Sequence, residues 1–419
     1  MLVAAPRKGS ADAAALDEHL EELARLVDTA GAVVVGRLSQ QLVSRNPATL
    51  IGEGKVEELR ALMASTNATL AVFDDELTPN QGATLEQELK VRVMDRAEII
   101  LDIFATRART SEAKLQVELA QNQYLLPRLA RMWTHLSRIR GGIGLRGPGE
   151  TQLETDRRML REKIQYLRGK LKDVERHRAV LRQGRVAMLD VALVGYTNAG
   201  KSSILRGLTG ERSIHVEDRL FATLDTLGRE VDLGDGYRAR VTDTVGFIRK
   251  LPHHLVASFR ATLEELREAD ILLHVVDASH PDWESQMRVV EQVLAELGMG
   301  EQPVVPVFNK MDAVPDATAF AERIRALYPE AILISAVRPD GLDPLRGALQ
   351  ARERAERPPV AVRLPVGDGA RLAALYREGE VLARELVDGH YELQVRLSRG
   401  QVTRLRGEGV DVGGNGAAS

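Results

Sequence analysis

The chain has 419 residues, of which 44% are hydrophobic and 28% charged, so it can form about two to four ordinary globular domains. It contains no cysteine, which excludes disulfides, thiolate zinc sites and a cysteine nucleophile. The net charge of −3 hides an asymmetry, because residues 106–185 contain 19 Lys and Arg against 8 Asp and Glu, whereas the rest contains 38 against 52. No apolar run approaches the roughly 18 residues of a membrane span and no secretory leader is visible, so we expect a cytoplasmic protein.

The first 107 residues predict a short segment followed by a domain. Residues 1–30 are Ala-rich with an acidic amphipathic stretch, and we expect a mobile N-terminal segment and a helix there. Residues 31–107 alternate apolar and helical stretches, which predicts a small α/β domain with a mainly parallel sheet. The expected strands are 32–37, 69–73 and 91–94, and the expected helices are 54–65, 80–89 and 97–107. Its Gly52-Glu53-Gly54-Lys55 resembles a phosphate loop but lacks the spacing and the closing Ser or Thr, which favours a strand-to-helix turn.

Residues 108–185 have the pattern of two packed helices. Apolar residues recur in steps of three and four between 115 and 136, and every seven residues between 153 and 181. Both patterns are heptad seams, and the simplest solution is an antiparallel hairpin roughly 40 Å long. We expect Pro127 to kink or interrupt the first helix.

The predicted tip of this hairpin is glycine-rich and basic. No acidic residue occurs from Pro127 to Gly149, and the stretch contains Arg128, Arg131, Arg138, Arg140 and Arg146. A long basic arm of this kind fits insertion among nucleic-acid phosphates, although an ordinary solvated loop is the alternative. Because aromatic residues make up only 4% of the chain, we expect contact with folded RNA through phosphate and shape rather than through base stacking. We expect no DNA partner.

Residues 186–357 predict a doubly wound nucleotide-binding domain, with strands near 188–194, 229–233, 238–243, 271–277, 304–308 and 331–334. The first strand runs directly into GYTNAGKS, the strand, glycine-rich turn, Lys and Ser order of a P-loop. Main-chain amides of such a turn surround the phosphates, the lysine adds a positive charge, and the serine hydroxyl is a Mg²⁺ ligand. The predicted phosphate-binding residues are Gly195, Tyr196, Thr197, Asn198, Ala199, Gly200, Lys201, Ser202 and Ser203.

A second motif predicts that the base is guanine. The residues Asn309, Lys310, Met311 and Asp312 follow the apolar segment 304–308. An aspartate here can accept hydrogen bonds from N1–H and N2–H₂ of guanine, whereas adenine has no such donor pair and would leave the charge unpaired. A polar strand-to-helix turn is the alternative for the isolated tetrapeptide. Ser335, Ala336 and Val337 follow the last strand and are expected to touch the guanine O6 through the backbone.

Two further segments are expected to sense the terminal phosphate. Asp243, Thr244, Val245 and Gly246 follow a strand, with Asp243 placed to hold Mg²⁺ through water and the Gly246 N–H placed to reach the γ-phosphate. The other segment is Phe221, Ala222, Thr223, Leu224 and Asp225, in which Thr223 is the candidate Mg²⁺ ligand of the triphosphate state. A loop threonine without this role is the alternative. Lys201, Thr223 and Gly246 are the candidate catalytic residues.

The remaining stretches carry no predicted chemistry. His253, His254 and His274 lack a second-ligand pattern, so we interpret them as solvent or core residues rather than metal ligands. Residues 358–410 predict a small α+β domain, with strands at 360–364, 381–386, 390–397 and 402–406 around a helix at 369–377. We expect the glycine-rich residues 411–419 to form a disordered tail.

These motifs together resemble those of the HflX GTPases. The resemblance covers roughly residues 31–350 and is carried by 46–59 (NPATLIGEGKVEEL), 72–77 (VFDDEL), 115–121 (LQVELAQ), 141–158 (GGIGLRGPGETQLETDRR) and 220–225 (LFATLD). It implies a cytoplasmic, Mg²⁺-dependent GTPase that binds the large (50S) ribosomal subunit and splits stalled or idle ribosomes. It also implies that residues 108–185 lie against 23S ribosomal RNA, with the glycine-rich tip near the peptidyl-transferase region. We expect the protein to act as a monomer.

One residue sets the chemistry apart from that of Ras-like enzymes. In those enzymes a glutamine directly after the motif that corresponds to Asp243–Gly246 orients the attacking water. The residue at that position here is Phe247, whose side chain cannot hydrogen-bond to water. We therefore expect slow intrinsic hydrolysis that is accelerated when a partner orders the two phosphate-sensing segments. Related GTPases with asparagine at the position of Asn198 can bind K⁺ there, which suggests K⁺ as a second cation.

Two other functions compete with a ribosome-activated GTPase. In the first, GTP only switches affinity for RNA or a protein, and hydrolysis merely resets it. In the second, the chain is an RNA-modification GTPase of the TrmE kind, which shares the asparagine-bearing P-loop but ends in a functional cysteine motif that this chain lacks. The N-terminal region shows no convincing adenine-binding motif that would support an ATP-driven activity.

Overall fold

The computed structural model describes residues 1–10, 13, 15–129, 148–182, 188–211, 219–252, 255, 266–299 and 302–413. The chain divides into two units. The first comprises residues 1–177, 218–225 and 250–261, and the second comprises residues 178–217, 226–249 and 262–419. No helix in these described ranges is both long and apolar enough to cross a bilayer.

The first unit begins with a four-stranded parallel sheet, which confirms the predicted small α/β domain. Its strands are β1 (Leu2–Ala4), β2 (Arg37–Ser39), β3 (Leu70–Phe73) and β4 (Arg92–Asp95), in the order β2-β1-β3-β4. Its helices are α1 (Leu16–Thr29), α2 (Glu53–Thr66), α3 (Pro79–Leu89) and α4 (Arg96–Arg107). Gly52 is the N-cap of helix α2, and Glu53, Gly54 and Lys55 form its first turn, whereas β2 ends at Ser39. The GEGK stretch is therefore a helix start and not the predicted strand-to-helix turn.

Two other predictions for this domain are wrong. The start of the chain is not a mobile segment, because β1 lies between β2 and β3 and residues 1–5 are buried. A strand buried on both faces needs only a short apolar run, which has no period to reveal it. The strand expected at 32–37 begins at Arg37 instead, and Val33 and Val35 before it are 83% and 47% exposed.

Residues 111–182 contribute two helices to the hairpin region. Helix α5 (Ser111–Leu125) ends where Pro127 starts a 3₁₀ turn, Leu126–Arg128, so the proline interrupts the helix as predicted. Helix α6 spans Pro148–Arg182. The two predicted seams meet in one apolar cluster, formed by Leu115, Leu119, Leu126, Ile164, Leu167 and Leu171. The tip, with Arg131, Arg138, Arg140 and Arg146, lies outside the described residues.

The second unit contains the predicted doubly wound sheet. Its strands are β5 (Leu189–Gly195), β6 (Leu227–Gly234), β7 (Tyr237–Asp243), β8 (Ile271–Asp277), β9 (Val304–Asn309) and β10 (Ile332–Leu333), in the order β10-β9-β8-β5-β7-β6. Only β6 runs antiparallel to its neighbour. The helices are α7 (Lys201–Thr209), α8 (Trp283–Glu296), α9 (Ala317–Leu327) and α10 (Asp343–Glu356). Because β5, β7, β8 and β9 are parallel, the predicted motifs that follow them meet at one edge of the sheet.

A small α+β domain follows, as predicted. It contains β11 (Pro359–Pro365), α11 (Gly369–Glu378), β12 (Glu380–Val387), β13 (His390–Arg396), α12 (Arg399–Gly407) and β14 (Asp411–Gly413). The antiparallel order β12-β13-β11-β14 and the βαββαβ sequence are those of a ferredoxin-like fold.

Two details of this domain correct the sequence prediction. Residues 402–406 form part of helix α12 rather than a strand, because Ser398 and Gln401 make a capping box that starts a helix there. Residues 411–413 form strand β14 rather than part of a disordered tail. Residues 414–419 lie outside the described residues.

Candidate guanine-nucleotide site

The P-loop joins the end of β5 to the start of α7. Gly200 precedes the helix with φ +97°, a left-handed backbone conformation that favours glycine. A Cβ at this position would lie 2.2 Å from the Nδ2 atom of Asn309. The loop therefore turns sharply and passes against the predicted base-binding segment, and only glycine allows both.

Lys201 is held against the backbone of the P-loop. Its side chain is buried, and Nζ donates hydrogen bonds to the main-chain oxygens of Gly195 and Tyr196 at 3.1 and 2.9 Å. Burial lowers the pKa of the Lys201 ammonium to about 8, against the opposing attraction of the Asp243 carboxylate. A bound phosphate favours the charged form, so binding of nucleotide should restore a higher pKa.

This shift predicts that nucleotide binding takes up a proton above pH 8. The pKa of Lys201 is about 8 without nucleotide, and a bound phosphate raises it. GDP affinity should therefore fall by up to roughly tenfold per pH unit above pH 8. Calorimetric titration with GDP at pH 8.5 in two buffers of different ionisation enthalpy should report uptake of most of one proton, and clearly less at pH 7.5. A binding enthalpy that is independent of the buffer at pH 8.5 would contradict this assignment.

The two predicted ligand groups of a magnesium ion lie next to each other. Ser202, in the first turn of α7, donates from Oγ to Oδ2 of Asp243 at the end of β7, at 2.6 Å. A hydroxyl and a carboxylate in contact at the edge of a phosphate loop are the hard oxygen donors that Mg²⁺ prefers, so these residues fit the ion. The Thr244 Oγ1 donates to the main-chain oxygen of Leu193 at 2.6 Å and fixes the end of β7, and the predicted nucleotide role of Thr244 stays a prediction.

The Asn309 side chain connects the P-loop to the loop that follows β10. Its side chain is buried, with Nδ2 donating to the Ala199 oxygen at 3.0 Å and Oδ1 accepting from the Ala336 amide at 3.1 Å. The three predicted motifs are therefore brought together by one amide side chain. Asn309 orients the site rather than pointing at solvent.

Asp312 is held by a neighbouring motif. Ser335 donates from Oγ to Oδ1 of Asp312 at 2.5 Å, which orients the carboxylate expected to read guanine. Met311 packs in an apolar cluster with Phe308 and Trp283, whereas Val337 is 72% exposed.

The segment after β7 pairs with the P-loop through its backbone. The Phe247 amide donates to the Gly195 oxygen at 3.0 Å, and the Thr197 amide donates to the Phe247 oxygen at 2.7 Å. A Cβ on Gly246 would lie 2.7 Å from the Thr197 Cα, so the two loops touch. The Phe247 ring is completely buried, and the Arg249 amide donates to the Tyr196 hydroxyl at 3.0 Å.

Two comparisons with known proteins agree on the family of this chain. Family models described as the N-terminal and middle regions of GTP-binding GTPases match residues 17–105 and 107–185, and a model described as a 50S ribosome-binding GTPase matches residues 190–310. The GTPase HflX of Flavobacterium psychrophilum is 50% identical over 73% of this chain and 74% of its own length. The GTPase HflX proteins of Caldanaerobacter subterraneus and Escherichia coli K12 are 44% and 43% identical, over 93% and 91% of this chain and 90% of their own lengths.

The chain belongs to the HflX family of GTPases. The resemblance of its motifs to this family is therefore confirmed, and GTP hydrolysis is the activity that the family name states. The P-loop GTPase fold is confirmed as well.

In this HflX-family chain, the segment that contains Thr223 folds with the first unit. Phe221 and Leu224 are buried, and the Asp225 carboxylate accepts hydrogen bonds from Arg109 and Thr110. Roles of Phe221, Ala222, Thr223, Leu224 and Asp225 in nucleotide binding stay predictions. The nucleotide and metal roles of the P-loop, Asp243 and the guanine-motif residues stay predictions in the same way.

Arg128 corrects part of the predicted basic tip. It is buried, its guanidinium carbon lies 3.6 Å from the centre of the Tyr124 ring, and Nη2 donates to the Leu77 oxygen at 2.7 Å. The same nitrogen lies 3.4 Å from Oδ2 of Asp95. Arg128 therefore stabilises the first unit and is not available to a phosphate, which a count of charges along the sequence does not reveal.

Sequence patterns missed Asp277, at the carboxyl end of β8. Its Oδ2 pairs with Nζ of Lys310 at 2.7 Å, and Lys310 itself has φ +63°. The pair fixes the turn that carries Asp312. The available signal was a carboxylate at the end of a strand that neighbours the P-loop strand in a parallel sheet.

His274 is a core residue of β8. Burial, together with the smaller effect of the positive charge on Lys201, lowers its pKa to about 4, so the ring is neutral at neutral pH. Its Nδ1 has no hydrogen-bond partner among the described residues. No group of three or more metal-binding side chains occurs in the part of the chain that the structure describes. His253 and His254 lie outside that part.

Proposed function

We propose that this chain hydrolyses GTP to GDP and phosphate with Mg²⁺ as cofactor, binds the 50S ribosomal subunit through residues 108–185, and splits stalled or idle 70S ribosomes. The observation that supports the proposal is the combination of the motifs predicted to bind a guanine nucleotide with a helical arm that has a local excess of basic residues. Residues 106–185 contain 19 basic against 8 acidic side chains, in a chain whose net charge is −3. A polyanion is the natural partner of such an arm.

The described part of the arm offers exposed cations. On α6 the side chains of Lys163, Arg158 and Arg176 are 45%, 72% and 80% exposed, although each lies within 4 Å of a carboxylate. Exposed ion pairs are weak, so phosphates can replace the carboxylates at little cost. The name of the family model for residues 190–310, a 50S ribosome-binding GTPase, supports the large subunit as the source of these phosphates.

The site residues have separate roles in the proposed reaction. Lys201 and the P-loop amides hold the β- and γ-phosphates, and the Gly246 amide contacts the γ-phosphate as long as it is present. Ser202, Asp243 and Thr223 would hold Mg²⁺, which neutralises charge that develops on the phosphates. Asp312, oriented by Ser335, selects guanine.

The buried Phe247 leaves the attacking water without a side-chain partner from that position. We therefore propose that turnover is slow alone and is stimulated by the ribosome. Steady-state GTP hydrolysis with and without 50S subunits tests this, and we expect at least a tenfold increase with the subunit, diminishing as salt is raised. Equal turnover in both conditions would overturn the activation.

The same burial favours a second candidate, in which GTP only switches affinity and hydrolysis resets it. Lys201→Ala and Ser202→Ala variants separate the two functions. If either variant in excess still splits 70S ribosomes in the presence of GTP at wild-type levels, splitting does not depend on GTP hydrolysis.

A potassium ion is a further part of the proposal. Asn198 lies in the P-loop with φ +61°, and its side-chain oxygen is a suitable ligand for a monovalent cation that would supply positive charge near the transferring phosphate. We expect faster 50S-stimulated turnover in KCl than in NaCl at equal ionic strength, and loss of that difference in Asn198→Ala. Equal rates of the wild type in the two salts would remove potassium from the mechanism.

A further inference from the structure

The two segments expected to sense the γ-phosphate have unexpected partners. Residues 219–225, which contain Thr223, and Lys250, four residues after Gly246, fold with the N-terminal domain and helix α5 rather than with the rest of the nucleotide domain. Residues 219–225 and Lys250 are each held by a specific polar contact.

The first contact lies at the start of helix α5. The main-chain amides of Arg109 and Thr110 donate to the two carboxylate oxygens of Asp225 at 3.0 and 3.3 Å, and the Thr110 hydroxyl also donates to Asp225. Thr110 is the N-cap of α5 and accepts from the Ala113 amide at 3.1 Å. Asp225 therefore completes the cap of the first hairpin helix, where a negative charge is favourable.

An aromatic contact reinforces the first one. The rings of Phe221 and Phe104 meet edge to face with their centres 4.8 Å apart, and Phe104 lies in the last turn of α4. Both side chains are almost completely buried. In the sequence, Thr223 therefore lies between two anchored residues: Phe221, which packs against α4, and Asp225, which binds the start of α5.

The second contact lies at the carboxyl end of β3. Nζ of Lys250 is 2.8 Å from Oδ2 of Asp74 and 3.1 Å from Oδ1 of Asp75, whose side chains are 3% and 7% exposed. Asp74 also pairs with the buried Arg96 at 2.7 Å. Asp75 also pairs with Arg45 at 3.0 Å, so each of these buried carboxylates has another cation besides Lys250. Loss of Lys250 therefore weakens the compensation of their charge without leaving either carboxylate unpaired.

The chain just before Lys250 is fixed on its other side. Phe247 and Arg249 hydrogen-bond to the P-loop through their backbones. Only one peptide separates the last P-loop contact from the Lys250 ion pair. Because the intervening chain is short and held by hydrogen bonds, a shift of Gly246 toward a γ-phosphate is expected to displace Lys250 as well.

We propose that Asp225 and Lys250 are positioning residues that link the terminal phosphate of the nucleotide to the N-terminal domain and to the first hairpin helix. We call these two contacts the latches. The latches restrain the chain next to the predicted γ-phosphate contacts of Thr223 and Gly246, so the shift of these residues toward a γ-phosphate makes GTP binding less favourable. GDP has no γ-phosphate and does not require this shift. By reciprocity, GTP loosens the latches to the extent that they oppose it. This inference rests on the sensing roles proposed for Thr223 and Gly246, but not on ribosome binding.

The test compares nucleotide affinities in the absence of ribosomes. Asp225→Asn and Lys250→Gln should raise the affinity for a non-hydrolysable GTP analogue by about fivefold or more relative to that for GDP. Lys250→Arg should restore the wild-type ratio, because it keeps the charge. Asp316→Asn, at the N-cap of α9, and Lys55→Gln, in an exposed pair with Glu58, are matched controls that should leave the ratio unchanged. An unchanged or lowered ratio in both latch variants would overturn the proposal.

A second measurement compares two nucleotides on the wild-type protein, and this comparison does not depend on the folding of any variant. Amide hydrogen exchange in the first turn of α5 and in residues 74–77 should be faster with the GTP analogue than with GDP. The difference should disappear in Asp225→Asn for the first region and in Lys250→Gln for the second. Identical exchange of the wild type with the two nucleotides would also overturn the latches, whereas failure to bind 50S subunits would affect only the proposed function.

Discussion

Gly200→Ala is expected to abolish guanine-nucleotide binding, with at least a 100-fold loss of GDP affinity. The new Cβ would lie 2.2 Å from Nδ2 of Asn309, a distance that forces the buried Asn309 side chain or the P-loop to move. Asn309 connects the P-loop to Ala336, so its displacement disturbs the phosphate and base subsites together. Fluorescence titration with a labelled GDP measures the loss directly.

Gly210→Ala is the matched control for this substitution. Gly210 also has a left-handed backbone, with φ +71°, but nothing lies within 4 Å of its added Cβ. The substitution should therefore lower the free energy of unfolding by roughly 1–2 kcal/mol without a comparable effect on GDP affinity. GDP binding by Gly200→Ala within fivefold of the wild type would show that the contact with Asn309 is not needed.

Asp312→Asn is expected to change the base preference of the site. The asparagine amide keeps one acceptor but places a donor against the guanine amino group, so two charge-assisted hydrogen bonds are lost. At about 1.5–3 kcal/mol each, this corresponds to a loss in GDP affinity on the order of 10²–10⁴-fold. Xanthosine diphosphate, which has an oxygen in place of the amino group, should bind the variant better than GDP. Competition of the two nucleotides against labelled xanthosine diphosphate measures the preference.

Two other variants separate base recognition from general damage. Ser335→Ala removes the hydroxyl that orients Asp312 at 2.5 Å, so it should weaken GDP binding by about tenfold without any preference for xanthine. Asp316→Asn makes the same chemical change at a helix N-cap four residues away and should leave the base preference unchanged. If Asp312→Asn still prefers GDP, another group reads the base.

Local motifs were the part of the molecule that the sequence predicted well. The turn from β5 to α7 and the position of Asp312 after β9 depend on residues that are adjacent in the chain, so short patterns identify them. Strands β5 and β8 were recognised as apolar runs that are buried almost throughout, whereas β6 and β7 alternate between buried and more exposed residues. Pro127 likewise acts on its own helix, and its effect could be foreseen.

The sequence did not predict the features that depend on contacts between residues far apart in the chain. Strand β1 is three residues long and is specified by the neighbours that cover it, not by its own pattern. Arg128 looked like one cation of the basic tip, but its partners, Tyr124, Leu77 and Asp95, include residues that lie tens of positions away. The contacts of Phe247 with the P-loop use backbone groups, which every residue type has, so no sequence signal marks them.

The most direct test of the account is sedimentation of 70S ribosomes through a sucrose gradient after incubation with the protein and one of three nucleotides. With GTP or its non-hydrolysable analogue, we expect the 70S peak to decrease in favour of separate subunits, and the protein to migrate with the 50S peak. With GDP, we expect intact 70S ribosomes and unbound protein. Equal splitting with GDP and GTP, or an unchanged 70S peak with all three nucleotides, would contradict the claim that the terminal phosphate controls engagement of the large subunit.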